Sequence, residues 1–283
     1  MISSVFSETC AYALMAEVGA TPKPGLVDRH DSGAHTDMNY ATFEDSTTAI
    51  VPYLTQMFER GISWESKDFN ALFESIRPIG VEAEKAMFAA TEGVNTHKGM
   101  IFSMGTIAAA AGLFYTRHKQ FDAEKILMLS GYLCYDAMRK DFQKIDRKNP
   151  KTNGELLYLR YSTKGIRGEA QKGFPSVRTV SLPAMRAAFL AGQTENEAYL
   201  NTLLTLMANV DDTNVLSRTN TVVQGYVKSE AAQLLKIGGA STPKGMEALK
   251  KLNQKFIHMN VSPGGCADLL AVTILLYRLE NGL

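Results

Sequence analysis

The sequence predicts an all-α protein in which a single domain, a multi-helix bundle, covers all 283 residues. Apolar residues recur at helical spacing over long stretches, and short segments of Gly, Pro, Asn and Asp separate these stretches. The runs of β-branched residues that a doubly wound nucleotide-binding fold needs between its helices are missing. With 45% hydrophobic and 21% charged residues, the composition is that of an ordinary globular protein.

Ten helices are expected in chain order. Two of them, at 98–117 and 265–280, are apolar nearly all round, which predicts buried central helices surrounded by the others. The uncharged run from Met100 to Thr116 is slightly short for a membrane span, so we interpret it as a core helix. The complete set is 3–18, 43–60, 68–91, 98–117, 123–145, 176–191, 195–210, 221–237, 243–259 and 265–280.

Two segments between these helices are expected to be irregular. Residues 20–40 contain Pro22, Pro24, Gly25 and Gly33, which interrupt a helical pattern and predict a loop. Residues 146–173 are polar and contain glycines, so we expect either a functional loop or a connector between helical layers.

Charge and cysteine content restrict the function classes. Thirty basic and 29 acidic residues provide no broad positive field for nucleic-acid binding, so any anion site is local. Cys10, Cys134 and Cys266 are far apart and lack metal-ligand spacing, which argues against a disulfide framework or a zinc site. The N-terminal segment lacks the pattern of a signal peptide. We therefore expect a cytoplasmic protein without membrane attachment.

The first polar cluster lies in the loop at 20–40. Pro22 and Pro24 stiffen the backbone around Lys23, a candidate phosphate contact, and Gly25 permits a tight turn or the close approach of a ligand. In the same loop, His35 and Asp37 are two residues apart and in an extended segment can share a metal or a proton. A loop histidine hydrogen-bonded to a neighbouring carboxylate is the alternative.

The second cluster, Gly93-Val-Asn-Thr-His-Lys-Gly99, precedes the predicted helix at 98–117. Free amides at a helix start attract anions, Lys98 adds a positive charge, and Gly99 lets a phosphate approach. The spacing is not that of a P-loop, and an Asn or Thr helix cap explains the segment equally well. On the preceding helix, Glu84 can hold Mg²⁺ or orient a basic side chain, although a solvated helix face also accounts for it.

Three more clusters follow along the chain. Arg167 lies between two glycines and can present its guanidinium group to a phosphate, with Glu169 as an orienting partner; a salt-bridged turn is the alternative. The acidic segment at 211–214 suits a hard cation, but the same residues cap helices well. The segment 262–268 has two glycines that suit backbone approach to a ligand, and Asp268 is favourable to the dipole of the helix it opens.

Together these segments resemble the triphosphoribosyl-dephospho-CoA synthase family, which serves citrate lyase and, in a related branch, malonate decarboxylase. The resemblance spans almost the whole chain in order, and the string from Gly93 to Gly99 is its most specific part. Cys266 stands where the family pattern has Ser, and Glu92 where a small residue is usual. The matching residues are Glu17, Val18, Pro22 to Asp28, Gly33 to His35, Asp37, Met38, Glu84, Gly93 to Gly99, Gly165 to Ala170, Asp212 to Asn214, Ser262 to Gly265 and Ala267 to Ala271.

The resemblance implies a reaction at C1 of the ATP ribose. The 2'-hydroxyl of 3'-dephospho-CoA displaces adenine, and the triphosphate stays attached while the glycosidic bond breaks through an oxocarbenium-like transition state. ATP and 3'-dephospho-CoA are the expected partners, and the product would pass to a protein that modifies an acyl carrier protein. Mg²⁺ would bridge carboxylates and phosphate oxygens. The sequence leaves open an oligomer of identical chains.

Residue roles follow from the same resemblance. We expect catalysis from His35, Asp37, His97 and Glu84, and metal binding from Glu84, Asp212 and Asp37. Substrate and phosphate contacts are expected from Lys23, Gly25, Asn95, Thr96, Lys98, Gly99, Arg167, Glu169, Asn214, Arg218, Gly264 and Gly265. Two alternatives remain open at this point. One is the malonate decarboxylase version of the same reaction, and the other is a non-catalytic helical protein that binds a nucleotide or CoA.

Overall fold

A computed structural model describes residues 1–282, and in this part of the chain all regular structure is helical. Five residues of π-helix, Val177–Ser181, run directly into α8, and a short 3-10 turn, Gly239–Ser241, precedes α12. The α-helices are α1 (Ile2–Gly19), α2 (Tyr40–Ile62), α3 (Phe69–Ala90), α4 (Lys98–His118), α5 (Ala123–Gln143), α6 (Asn153–Tyr161), α7 (Gly165–Gln171), α8 (Leu182–Leu190), α9 (Glu195–Asn209), α10 (Thr213–Arg218), α11 (Thr221–Lys236), α12 (Pro243–His258) and α13 (Gly264–Asn281).

Side-chain caps explain where most of these helices begin. An Asn, Asp or Thr side chain accepts a hydrogen bond from a backbone amide of the first turn, which satisfies a donor that has no partner within the helix. The two central helices differ, because neither His97 before α4 nor Pro263 before α13 provides such a cap. The capping residues are Asn39, Asp68, Asp122, Thr152, Thr194, Asp212, Asn220 and Thr242.

Helices α4 and α13 form the centre of the core, as their uniformly apolar sequences predicted. Helix α4 packs against α2, α3 and α5, and α13 packs against α1 and α9. Helices α2 and α4 approach closely at Gly112, which has no side chain to separate them. A Cβ at this position would lie 2.0 Å from the carbonyl oxygen of Phe58. By length and composition α4 is apolar enough to cross a membrane, but 78% of its apolar window is buried inside the protein, which is typical of a core helix.

All ten expected helices are present, but three short ones, α6, α7 and α10, were not predicted. The segment 146–173 therefore contains two helices and is not one continuous loop. These helices have six to nine residues, which is too short for an apolar periodicity to stand out. The expected helix at 176–191 begins as π-helix. Pro183, in the first turn of α8, explains this change of hydrogen-bond pattern because proline donates no backbone hydrogen bond.

Candidate active site

The five polar clusters singled out in the sequence meet around one cavity of about 1050 Å³. The loop after α1, the loop before α4, the start of α7, the acidic segment before α10 and the start of α13 each contribute to its lining. Segments up to 246 residues apart in sequence, from Lys23 to Leu269, therefore converge, because α4 and α13 both begin at this cavity. A further wall comes from residues near α6 and α7, including Tyr161, Lys164 and Lys172.

The loop after α1 is held by buried hydrogen bonds. Asp28 accepts from the amides of Lys23 and His30, and Asn253 on α12 accepts from the amide of Gly25 at 2.8 Å. Gly25 does not line the cavity. Its φ of +70° and the 2.0 Å that would separate a Cβ from the carbonyl oxygen of Val261 show that glycine is needed there for packing.

Lys23 lines the cavity but its ammonium group already has a partner. Its Nζ donates a hydrogen bond to Oε1 of Glu17 at the end of α1, and both residues are buried, with 1% and 5% of their surface exposed. Burial raises the pKa of Glu17, while the charge of Lys23 opposes that rise. The predicted phosphate contact is thus one half of a buried ion pair on the cavity wall.

His97 is buried and uncharged. Burial, together with the charge of Lys23, lowers its pKa to about 3. Thr96 donates to the Ser46 hydroxyl, which lies 2.7 Å from Nδ1 of His97. Ser46 therefore has its own proton available for Nδ1, and we assign the imidazole proton to Nε2. A neutral imidazole with so low a pKa is a poor proton donor near pH 7, so the structure favours a positioning role over the expected acid–base role.

His35 forms hydrogen bonds through both ring nitrogens. Nε2 lies 2.9 Å from the hydroxyl oxygen of Ser262, and Nδ1 lies 3.2 Å from Nη2 of Arg218. A guanidinium group only donates, so Nδ1 is the acceptor and Nε2–H donates to Ser262. Asp37 Oδ1 is more distant, at 3.7 Å, and its side chain is 61% exposed. The group resembles a Ser–His–Asp triad in composition, but its proton direction is the reverse of what activates a serine.

Arg218 ties this group to the rest of the wall. Its Nη1 donates to the carbonyl oxygen of Ala34 and to Oδ1 of Asn260, each at 3.1 Å. Its Nη2 contacts His35. Because Ala34 and His35 belong to the loop after α1 and Asn260 precedes α13, the guanidinium group joins these two segments. Arg218 lines the cavity as expected, and most of its donors serve to fix two loops.

Lys98 lies at the edge of the cavity, where Glu84 on α3 positions it. The Nζ of Lys98 is 2.9 Å from Oε2 of Glu84, and Glu84 itself does not line the cavity. Arg167 also lies elsewhere: with Glu84 it borders a separate apolar slot of about 190 Å³ between α3, α4 and α5. Glu169 lines the main cavity, but it accepts hydrogen bonds from Ser176 and does not pair with Arg167.

Asp212 links the starts of α10 and α13. Its Oδ1 accepts from the amides of Asn214 and Val215, and its Oδ2 accepts from the amide of Cys266 at 2.8 Å. Burial raises the pKa of Asp212, and these three donors oppose the rise. The glycines Gly264 and Gly265 allow the close approach, since Cβ atoms there would lie 2.8 Å from Asn214 and 3.1 Å from Asp212.

The starts of α4 and α13 leave backbone donors at the cavity, although Asn95 accepts from the amide of Lys98 and Asp212 from that of Cys266. Within residues 1–282, the amides of Gly99, Gly264 and Gly265 have no protein acceptor, and all three residues line the cavity. Free amides at a helix start carry a partial positive charge and bind phosphate oxygens. The cavity therefore combines two anion-binding helix starts with polar loops.

The profile of the family described as CitG: ATP:dephospho-CoA triphosphoribosyl transferase matches residues 4–283. The chain belongs to this family. A relative from Vibrio cholerae (strain M66-2), named a probable 2-(5''-triphosphoribosyl)-3'-dephosphocoenzyme-A synthase, is 43% identical over 95% of this chain and 86% of its own length. The synthase of Pectobacterium atrosepticum is 42% identical over 95% of this chain and 87% of its own length.

The protein named CitXG from Leuconostoc mesenteroides subsp. cremoris is 39% identical over 95% of this chain, which covers 58% of that relative. No solved structure matches this member of the triphosphoribosyl transferase family.

The three carboxylates expected to bind a metal in this triphosphoribosyl transferase do not come together. Asp212 is buried and accepts three backbone hydrogen bonds, Glu84 pairs with Lys98, and Asp37 is mostly exposed beside His35. Among residues 1–282, no group of three or more His, Cys, Asp or Glu side chains is arranged to hold a metal ion.

Two carboxylates at the cavity received no catalytic role from the sequence. Glu17 belonged to the family resemblance only, and Asp268 was interpreted as a helix-dipole residue. The sequence contains a feature that indicates both residues. Glu17 is the single charged residue in the largely apolar run 10–18, and Asp268 is the single charged residue in the run 266–276. Acidic residues are rarely placed in such runs unless they are paired or functional.

Proposed function

We propose that this chain transfers the 5-triphosphoribosyl group of ATP to the 2'-hydroxyl of 3'-dephospho-CoA and releases adenine, making the prosthetic-group precursor of citrate lyase. The observation that carries this proposal is the pair of helix starts, α4 and α13, whose glycines with free amides, Gly99, Gly264 and Gly265, line one large cavity. They suit a triphosphate that must be held without being cleaved. The family match over the whole chain supports the same reaction.

The cavity is better suited to chemistry at the sugar than to phosphoryl transfer. Phosphoryl-transfer enzymes rely on metal ions held by acidic side chains and a cationic cradle at the γ-phosphate. Here Lys23 is paired with Glu17, and Lys98 is paired with Glu84, so the positive charge near the helix starts is moderate. Held mainly by amides, the triphosphate serves as a handle while the bond from C1 to adenine breaks.

We assign Mg²⁺ to the substrate, as MgATP. The residues described provide no set of three ligands for it, and Mg²⁺ commonly keeps several waters while binding phosphate oxygens and one or two carboxylates. The metal expected from the family resemblance thus enters with the triphosphate, and no individual residue is assigned to it.

The second substrate is assigned to the wall beside α6 and α7. Lys164 borders both the main cavity and an adjoining cleft of about 350 Å³ that also contains Arg139 and Arg147. The ammonium group of Lys164 lies 4.8 Å from the centre of the Phe142 ring, within the same cleft. Cations and aromatic rings suit the diphosphate and the adenine base of dephospho-CoA. A volume of about 1050 Å³ is at the upper end for ligand pockets, as two large substrates require.

The product of this reaction is assigned to a following enzyme that modifies an acyl carrier protein. In CitXG, the part similar to this chain is 58% of the length, so a further region is fused to it. Such a fusion suits two successive steps, the synthesis of the precursor and its use in modifying an acyl carrier protein. The names of the three relatives do not favour the malonate decarboxylase version. We place the protein in the cytoplasm, where ATP and dephospho-CoA are available.

Adenine release tests the proposal. Purified protein is incubated with ATP, 3'-dephospho-CoA and Mg²⁺, and adenine and the CoA-derived product are separated by chromatography and weighed by mass spectrometry. We expect adenine only when both substrates are present, with a product heavier than dephospho-CoA by one triphosphoribosyl group and no ADP. Absence of adenine at saturating substrates would contradict the proposal and favour a non-catalytic nucleotide- or CoA-binding protein.

A further inference from the structure

Asp268 presents a carboxyl group to the cavity without a hydrogen-bond partner. It is the fifth residue of α13, lines the cavity, and faces the start of α4, since a Cβ on Gly99 would lie 2.7 Å from its Oδ2. Within residues 1–282 no side chain or backbone amide donates to it, and no cation pairs with it. A carboxyl group that accepts no hydrogen bond lacks the donors that would stabilise its ionised form.

Three carboxyl groups face this part of the cavity from different elements. Burial raises the pKa of Asp268, and the charges of Glu17 on α1 and of Asp212 before α10 raise it further. Glu17 is paired with Lys23, and Asp212 accepts three backbone hydrogen bonds. Donors thus stabilise the ionised form of these two groups. Asp268 has no such donor, so of the three it is the group whose protonated form is most favoured.

We propose that Asp268 is the catalytic acid that protonates adenine as it leaves C1 of the ATP ribose. The inference rests on the proposed function, because it assigns a residue to the departure of adenine in that reaction. Neither histidine at the cavity suits this step, since His97 is neutral and His35 directs its only proton to Ser262. Asp268 reaches the cavity and accepts no hydrogen bond that would stabilise its ionised form.

The step balances without a further reactant. The bond between C1 and N9 breaks with its electron pair going to the purine, and the Asp268 proton moves to a ring nitrogen of the base. The 2'-hydroxyl oxygen of dephospho-CoA forms the new bond to C1 and releases its proton to solvent. Solvent returns a proton to Asp268, so the net reaction moves one proton from the hydroxyl group to adenine.

A leaving group that needs no proton tests this assignment. In N7-methyl-ATP the purine already carries a positive charge and departs as a neutral base. For Asp268→Asn we expect kcat with ATP to fall about 10²- to 10⁴-fold, the usual size of general acid catalysis, and KM for ATP to change little. With N7-methyl-ATP the loss should be less than about tenfold, and Asp268→Glu should recover part of the rate on ATP.

The wild-type protein gives a second test that does not depend on a variant folding. Because the protonated form of Asp268 is required, kcat with ATP should fall as pH rises through its pKa, and the fall should be absent with N7-methyl-ATP. Equal losses in Asp268→Asn on both substrates, or the same alkaline fall on both, would overturn the inference. Failure of the wild-type protein to release adenine at all would instead contradict the proposed function.

Discussion

The Asp212 carboxylate accepts a 2.8 Å hydrogen bond from the amide of Cys266, 54 residues later in the chain. Its other oxygen caps α10, so one side chain joins two helix starts at the cavity. The buried Cys266 lies where its family pattern has Ser, and its amide, which any residue provides, makes this contact. The position therefore tolerates the change from hydroxyl to thiol.

Replacing Asp212 should cost stability. In Asp212→Asn one accepting oxygen becomes an NH₂ group that faces an amide donor, and we expect the free energy of unfolding to fall by about 1–3 kcal/mol. Urea denaturation measures it. Asp211→Asn is the matched control, because Asp211 is 62% exposed and pairs with Lys228. Asp211→Asn should change the free energy of unfolding by less than about 0.5 kcal/mol. Equal losses in both variants would contradict the conclusion that Asp212 stabilises the protein by joining the starts of α10 and α13.

Glu84 should act through Lys98 and not through Mg²⁺. Lys98→Ala is expected to raise KM for ATP about 3- to 10-fold, the effect of one partly exposed charge contact. Glu84→Gln should leave kcat and the Mg²⁺ concentration for half-maximal rate close to wild type, because Glu84 lies outside the cavity. The control is Lys85→Ala, since Lys85 pairs with Glu82 on the exposed side of α3. A large shift in Mg²⁺ dependence for Glu84→Gln would restore the metal-binding role.

His35 should be replaceable by another side chain that both donates and accepts. Asparagine can donate to Ser262 and accept from Arg218, so His35→Asn should keep kcat within about tenfold of wild type. His35→Ala loses both contacts and should fall further. Steady-state kinetics distinguish a positioning role from a general-base role. If His35 were a general base, kcat would fall about 10²- to 10⁴-fold in both variants.

His97 should make stability depend on pH on the acid side. Its pKa is about 3 in the folded protein and 6.5 in the unfolded chain, so between these values only the unfolded state binds the proton. Stability contributed by His97 is complete above 6.5 and falls by about 1.4 kcal/mol per unit as pH decreases towards 3.

The measurement is a difference between variants. Urea unfolding of wild type and His97→Gln over this pH range should show a steeper acid loss for wild type, while contributions from the carboxyl groups largely cancel. His118→Gln is the control at the other end of α4, because His118 is exposed. Parallel pH profiles for wild type and His97→Gln would show that His97 is not held neutral.

The basic cleft should affect one substrate more than the other. Arg147→Ala is expected to raise KM for dephospho-CoA about 3- to 10-fold, as for one partly exposed contact to a phosphate, and to leave KM for ATP near wild type. Arg160→Ala is the control, since Arg160 lies on α6, contacts the Tyr161 ring, and borders neither cavity. Equal changes in both KM values would argue against a separate site for the second substrate.

The candidate site was partly predictable. Lys23, His35, Asn95, Thr96, Lys98 and Gly99 were expected at the site, and the structure places them on the cavity. Gly25 and Arg167 were expected there too, but Gly25 packs against Val261 and Arg167 borders another slot. The difference arises because a loop sequence indicates where polar groups concentrate, whereas the direction of each side chain depends on what packs against the loop.

The sequence by itself determined the helical fold, the ten long helices, the buried central pair and the family, because apolar periodicity and ordered motifs are properties of neighbouring residues. Only the tertiary structure decided which charges meet. It paired Lys23 with Glu17, buried His97 in its neutral form, and left Asp268 without a donor at the cavity. Pairing, burial and proton location depend on contacts between segments far apart in the chain, and these contacts exist only after the helices have packed.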